Sequence, residues 1–282
     1  MTALAPASGN RPLHTISFEG TAAWRGTPVR TQVRILTARS VRDLVLDRRL
    51  LAMSMVEPLL MLVAFGQVFS ALARAPGFPP GVRYIDFLMP ALLLTTALHS
   101  GVQAGMGIAD DTRSGMLDRL RSLPIRPGSV LLARSVAGLA RAVLRLAVLL
   151  AFASALFGYR PFAHPAGLLA AVALSLTVGW SLGWVFTALA CWIERTEPLY
   201  AAAGLLMFPL TFASNAFVPI GQLPPWLRWT AGLNPVTHGI NATRDLCLSG
   251  AVGTGALSAA LTSLAIAAVT APVAARGLNR PH

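Results

Sequence analysis

The chain contains no lysine; all 23 of its basic side chains are arginine. That absence removes several chemistries at once. A Walker A phosphate loop uses its Lys on the β- and γ-phosphates, and pyridoxal enzymes need a Lys for the Schiff base. Neither can be assembled from these residues, so any ATP hydrolysis that drives this protein comes from a partner. Cysteine is scarce too. Cys191 lies in an apolar run and Cys247 in a polar stretch, too few for a disulfide framework and without metal-ligand spacing. Both read as free thiols. His14, His99, His164, His238 and His282 are scattered and form no HExxH pair or Cys/His cluster, so no metal site is expected. No set of Asp, His, Cys or Ser occupies neighbouring apolar segments as an intramembrane catalytic site would. The opening MTALAPASGNRPLHTISFEG has no apolar core, so no cleaved signal peptide is expected.

Charge is sparse as well, at 12% of residues, while 55% are hydrophobic. This is the composition of a polytopic membrane protein, and it overrides the one or two soluble domains that length alone suggests. A membrane span needs about 20 mainly apolar residues to cross roughly 30 Å of hydrocarbon. Six segments meet that requirement, about 51–72, 87–107, 136–158, 166–192, 199–218 and 254–275. The expected fold is therefore all-α, with six transmembrane helices over residues 51–276 and both termini on one side.

The net charge of +12 could indicate nucleic-acid binding or the cytoplasmic face of a membrane protein. Arg clusters between the apolar segments, which favours the second and leaves no role for nucleic acid. Sixteen Arg fall on the side of the termini, five on the other (Arg74, Arg83, Arg160, Arg228 and Arg244), and Arg141 and Arg145 lie within span three. The positive-inside bias then puts both termini in the cytoplasm. Residues 1–27 read as a disordered cytoplasmic N-terminus and 277–282 as a cytoplasmic tail. Over 28–50, Val33, Leu36, Val41 and Leu44 oppose Arg34, Arg39 and Arg42. That pattern suits either an amphipathic interfacial helix or an ordinary basic flank.

Polar residues inside apolar spans are functional candidates, because burying charge in lipid is costly. Glu57 precedes Pro58 in span one, His99 lies in span two, and Arg141 and Arg145 are one helical turn apart in span three. The two Arg either snorkel to the cytoplasmic face or line the bundle interior, with pairing to Glu57 as one form of the latter. Glu57 could alternatively attract a cationic substrate. Gly101 and Gly105, and Gly179 and Gly183, have the small-xxx-small spacing that permits close helix approach.

Two polar segments have structure of their own. Between spans two and three, DDTRSGMLDRLRSLP puts Met116, Leu117, Leu120 and Leu123 on one helical face, with Asp118, Arg119, Arg121 and Ser122 on the rest and Pro124 as terminator. Such a helix could dock in a groove on another protein or rest its Leu residues on lipid headgroups. Between spans five and six, Pro219, Pro224 and Pro225 are followed by Trp226, Leu227, Trp229 and Leu233 at near-helical spacing, then Asn234 and Pro235. Trp favours the membrane boundary, so short helices that dip into or lie on the outer leaflet are expected.

RDLVLDRRLLAMSMVEPLLMLVAFGQVF, YIDFLMPALLL, GIADDTRSGMLDRLRSLPIRPGSVLLARSVAGLARAVLRL with FGYRPF, and FVPIGQLPPWLRWTAGLNPVTHGINATRDL, in that order, resemble the permeases of type-2 ABC exporters, particularly the daunorubicin-resistance permeases of bacteria. The resemblance covers about residues 30–275. It implies a six-span subunit of the bacterial plasma membrane that pairs with a second permease, itself or a related chain, on two copies of a separately encoded ATPase. ATP and Mg would be held by that ATPase, and no cofactor by this chain. The resemblance further implies that a coupling helix over Asp111, Arg113, Gly115, Met116, Leu117, Asp118, Arg119, Leu120, Arg121, Leu123 and Pro124 fits a cleft in the ATPase. The 28–50 segment would be the interfacial helix, and Pro219 to Pro235 the external re-entrant helices. The expected function is ATP-driven export of an amphiphilic small molecule, an antibiotic, drug or lipid-like metabolite. An ion- or proton-driven secondary transporter with Glu57 and Arg141 as relay groups is the alternative.

Overall fold

The computed structural model describes residues 48–114, 127–160, 164–193 and 196–278. Eight α-helices follow one another: α1 (Arg48–Val68), α2 (Tyr84–Arg113), α3 (Pro127–Phe157), α4 (Pro165–Trp192), α5 (Thr196–Phe212), α6 (Pro225–Leu233), α7 (Pro235–Ser249) and α8 (Thr254–Leu278). Among the described residues there is no strand. Among the described residues, four helices are long and apolar enough to cross a membrane: α2 over Tyr84–Asp111, α3 over Val130–Phe157, α4 over its whole length and α8. The apolar part of α1, Ala52–Val68, is shorter, and α5 has 17 residues.

Helix α2 is the central pillar. Its most apolar stretch is 89% buried, against 33% for α3, 39% for α4 and 17% for α8, so the outer helices face away from the bundle with most of their apolar surface. Leu60 and Val63 on α1, Val143 and Phe152 on α3, Leu205 and Leu206 on α5, and Leu261 and Val269 on α8 are all exposed. A water-soluble chain does not display so much contiguous apolar surface. In a bilayer the same side chains meet lipid at no penalty.

The pillar is held by backbone contact. A Cβ at Gly101 would overlap the Gly179 carbonyl, one at Gly179 the Ala97 carbonyl, and one at Gly105 the Gly183 carbonyl. The two small-xxx-small motifs therefore face each other within one chain, where α2 crosses α4. Only glycine lets these backbones come so close.

Helix ends depart from the apolar segments in an instructive way. Helix α3 begins at Pro127, upstream of the apolar boundary at 136, because proline suits the first helical turn and the helix carries Arg134 past the apolar zone. Helix α2 likewise runs on through Asp111 and Arg113, so those two residues belong to the pillar, and Gly115 to Pro124 lie outside the described residues. So do 1–47, with most of the interfacial segment, and 279–282. The first span expected over 51–72 ends at Val68 and is followed by a 3₁₀ turn, Ser70–Arg74.

The fifth segment, expected to run to 218, stops at Phe212. Its last turn is capped from outside: the Asn234 side-chain amide donates to the Leu210 and Ala213 carbonyls at 2.9 and 3.0 Å. Ser214 Oγ donates to the Thr211 carbonyl at 2.6 Å. Asn234 also accepts from the Val236 amide at 2.9 Å and so starts α7. One side chain thus ends one helix and begins another.

Gly101→Leu should abolish recovery of monodisperse protein in size-exclusion chromatography after detergent extraction, since the carbonyl it meets cannot move without unpacking α2 from α4. Gly255→Ala, whose Cβ would meet nothing within 4 Å, should be recovered like the wild type.

Candidate functional site

Opposite its contact with α4, α2 presents a polar stripe. Thr95, His99 and Gln103 recur every four residues, Asp110 follows seven later, and Thr96 and Ser100 lie alongside. This face and residues of α1, α3 and α5 line a half-open cavity of about 950 Å³. Glu57 of α1, His99 of α2 and Arg141 and Arg145 of α3 all line it. The structure thus brings all four intramembrane candidates to one space.

Their pairing differs from that expected of Glu57. Its carboxylate lies 3.7 Å from His99 Nδ1, and Arg145 Nη1 donates to Ser100 Oγ at 3.1 Å. Among the described residues, no carboxylate comes within 4.0 Å of Arg141 or Arg145. Ser100 and Thr95 satisfy their own hydroxyls by donating to the carbonyls of Thr96 and Ala91, at 2.8 and 2.9 Å. Their oxygens keep acceptor capacity toward the cavity.

The cavity is polarised along its length. From Leu92 to Asp110 α2 rises about 27 Å at about 1.5 Å per residue. Near Asp110 the walls are charged. Tyr200 donates to both Asp110 oxygens at 2.9 and 2.8 Å, Arg134 pairs with Asp111, and Arg113 lies 3.5 Å from Glu197. These contacts tie the end of α2 to the first turns of α3 and α5. Toward Leu92 the lining becomes Met61, Met207, Phe208, Phe212 and Phe217.

Residues 219–235 lie at that apolar end. Pro224 caps α6, which starts at Pro225, and Asn234 caps α7, which starts at Pro235. Trp226 and Trp229 project outward at 69% and 70% exposure. The short helices expected from the sequence are present, and they do not line the cavity. Pro219 begins the 3₁₀ turn Ile220–Gln222 that precedes them.

Arg244 of α7, counted from the sequence among the five arginines on the side away from the termini, has a packing role that its position did not announce. It is buried, with its guanidinium 3.7 Å over the Phe87 ring. Nε donates to the Phe87 carbonyl at 3.2 Å, Nη2 to the Asn215 carbonyl at 3.2 Å and Nη1 to Asn241 Oδ1 at 3.4 Å. One cation therefore clamps α7, α2 and the turn after α5. Beside it Tyr84 donates to the Phe217 carbonyl at 2.9 Å. In the loop at the same end, a bidentate pair with Asp86 raises the Arg83 guanidinium above its ordinary range.

Sequence reasoning missed Arg134, Asp110, Tyr200 and Gln103 as cavity residues. A signal for Arg134 was available: it precedes Arg141 by seven residues and Arg145 by eleven, one face of a helix. The α2 stripe was legible by the same rule. Tyr200 had no such signal, because its partner is 90 residues away.

A family model described as ABC-2 type transporter matches residues 31–248. The chain belongs to the ABC-2 type transporter family. It is similar to the daunorubicin resistance ABC transporter permease protein DrrB1 of Streptomyces coeruleorubidus, 26% identical over 223 residues that cover 79% of this chain and 78% of that protein. It is also similar to the probable doxorubicin resistance ABC transporter permease protein DrrC of Mycobacterium tuberculosis, 24% identical over 228 residues and 80% of each chain. The probable multidrug ABC transporter permease YbhR of Escherichia coli is 23% identical over 177 residues, 62% of this chain and 47% of that protein. With its apolar helices, this ABC-2 chain is a multi-pass membrane protein. Its family is that of the membrane permeases of drug and antibiotic resistance transporters.

Arg244→Met would leave the Asn215 carbonyl without its donor and take one of two donors from Asn241 Oδ1, which keeps Asn215 Nδ2, besides losing the bond to the Phe87 carbonyl. An orphaned acceptor costs about 1–3 kcal/mol, so thermal unfolding in detergent should occur several degrees lower than in the wild type. Arg244→Lys should recover only part of the loss, since an ammonium cannot reproduce the planar fork.

Proposed function

We propose that this chain is the permease subunit of an ATP-driven exporter that carries an amphiphilic small molecule out of the cell. The observation that carries the reading is the cavity: about 950 Å³, charged at one end and aromatic at the other, inside an apolar bundle. A space of that size and polarity suits an amphiphile and is at the upper end of ordinary ligand pockets, about 300–1,000 Å³. The family supplies the reaction class. In this account α1 and α5 are spans as well, which makes six; a helix of about 17 residues reaches the lower limit for crossing. The Arg distribution then puts both termini and residues 114–127 in the cytoplasm, and α6 and α7 in the outer leaflet as re-entrant helices, with Trp226 and Trp229 at the boundary.

A second copy of the chain, or a related permease, completes the translocation path, and two copies of a separate ATPase bind ATP and Mg. Asp111 and Arg113 at the tip of α2 start the coupling segment, whose Met116, Leu117, Leu120 and Leu123 seat in the ATPase. Nucleotide can shift the permease only by its different affinity for the two conformations, so this contact has to be stiff. The ties at the tip support that role: Arg134 with Asp111, Tyr200 with Asp110 and Arg113 with Glu197 link the segment to three helices that wall the cavity.

Leu117→Asp and Leu120→Asp should leave the permease inserted while reducing its co-purification with the ATPase at least tenfold and stopping export. Undiminished pull-down and transport would refute the docking assignment. Export that survives ATP depletion with the proton gradient intact would instead place the chain among secondary transporters.

A further inference from the structure

We propose that the cavity selects amphiphiles with an anionic head, a carboxylate or a phosphate monoester on an apolar body, and that Arg141 and Arg145 hold the head. The inference rests on reading the cavity as the transport path and adds the class of substrate. It follows from sorting the charges of the cavity by partner. Arg134 is neutralised by Asp111, Asp110 is engaged by Tyr200, and Glu57 faces His99. Arg141 and Arg145 are left, with no carboxylate within 4.0 Å among the described residues.

Their geometry is that of a receptor for one anion. Residues four apart on a helix lie about 6 Å apart on the same face, which lets two guanidinium groups converge on one carboxylate or phosphate. Guanidinium binds both groups through paired N–H donors. Arg145 is already oriented by its bond to Ser100, while Arg141 has no hydrogen bond among the described residues and is free to close on a ligand. Two cations one helical turn apart, with no carboxylate in ion-pair contact among the described residues, are costly in an apolar bundle, and a bound anion relieves that cost. Glu57 stands on α1 across the cavity and repels an anion that drifts from α3. Toward the other end Met61, Met207, Phe208 and Phe212 offer a soft apolar wall for the body of the molecule.

The test uses the full chain in nanodiscs of neutral lipid, without ATPase or nucleotide, titrated with dansyl-undecanoic acid and with a dansyl-undecyl trimethylammonium of the same length. The acid should bind about tenfold or more tightly than the cation, and Arg141→Gln and Arg145→Gln should each weaken the acid about tenfold without weakening the cation. Glu57→Gln should tighten the acid. Ser100→Ala keeps both charges and should keep the preference for acid, which controls for damage to packing. A cation that binds as tightly as the acid, unchanged acid affinity in both Arg variants, or loss of the preference in Ser100→Ala would each overturn the proposal. Phosphatidylglycerol added to the nanodisc distinguishes the source of the anion. Displacement of the acid identifies a membrane lipid head and undiminished binding identifies a solute, and both support the anionic site. Because no nucleotide is present, the preference can fail while ATP-driven export stands, and can stand while export fails.

Discussion

Close contact between the backbones of α2 and α4 is the constraint on which the rest depends. With Gly101 and Gly105 against Gly179 and Gly183, one side of α2 needs no side chains to fill the space. The helix can sit in the middle of the bundle and give its other side to polar residues. A bulkier α4 contact would push α2 outward and close the cavity against α1 and α5. Small residues at one face thus make room for function at the opposite face, an arrangement that packing in lipid favours because close approach, and not water exclusion, holds membrane helices together.

The two ends of α2 have different jobs. At the Arg113 end, ion pairs and the Tyr200 bond join three helices with interactions that break and form in discrete steps. At the Tyr84 end, Arg244 of α7 clamps backbone carbonyls of α2 and of the turn after α5, with aromatic contacts among Phe65, Phe217, Phe78, Phe87 and Tyr84 around it. A buried cation bonded to three acceptors gives a rigid junction. Motion imposed at the first end would therefore be felt in the cavity, between a mobile tip and a fixed base.

Much of this was legible in advance. The apolar segments at 87–107, 166–192 and 254–275 lie inside α2, α4 and α8 because apolar length reports directly on helices long enough to cross the hydrocarbon. The small-residue motifs announced a close crossing, though not that they would meet each other. Glu57, His99, Arg141 and Arg145 stood out because charge is rare in such surroundings, and the structure gathers them. What stayed hidden depends on long-range partners. The end of α5 is set by Asn234, more than twenty residues on, and the role of Arg244 in NATRDL was hidden because two of its acceptors are backbone carbonyls, which carry no sequence signature. Helix ends beyond the hydrocarbon were hidden for a simpler reason: hydropathy marks the thickness of lipid, and α2 and α3 continue past it.

The central claim is that the cavity is a transport path that opens and closes with nucleotide. It is tested most directly by a single thiol at Gln103, an exposed cavity residue of α2, as Gln103→Cys in a chain whose Cys191 and Cys247 are replaced by serine. In inside-out vesicles with the assembled ATPase, a membrane-impermeant maleimide should label this thiol rapidly without nucleotide and about tenfold or more slowly when ATP hydrolysis is blocked by vanadate. Labelling at the same rate in both states would contradict the account.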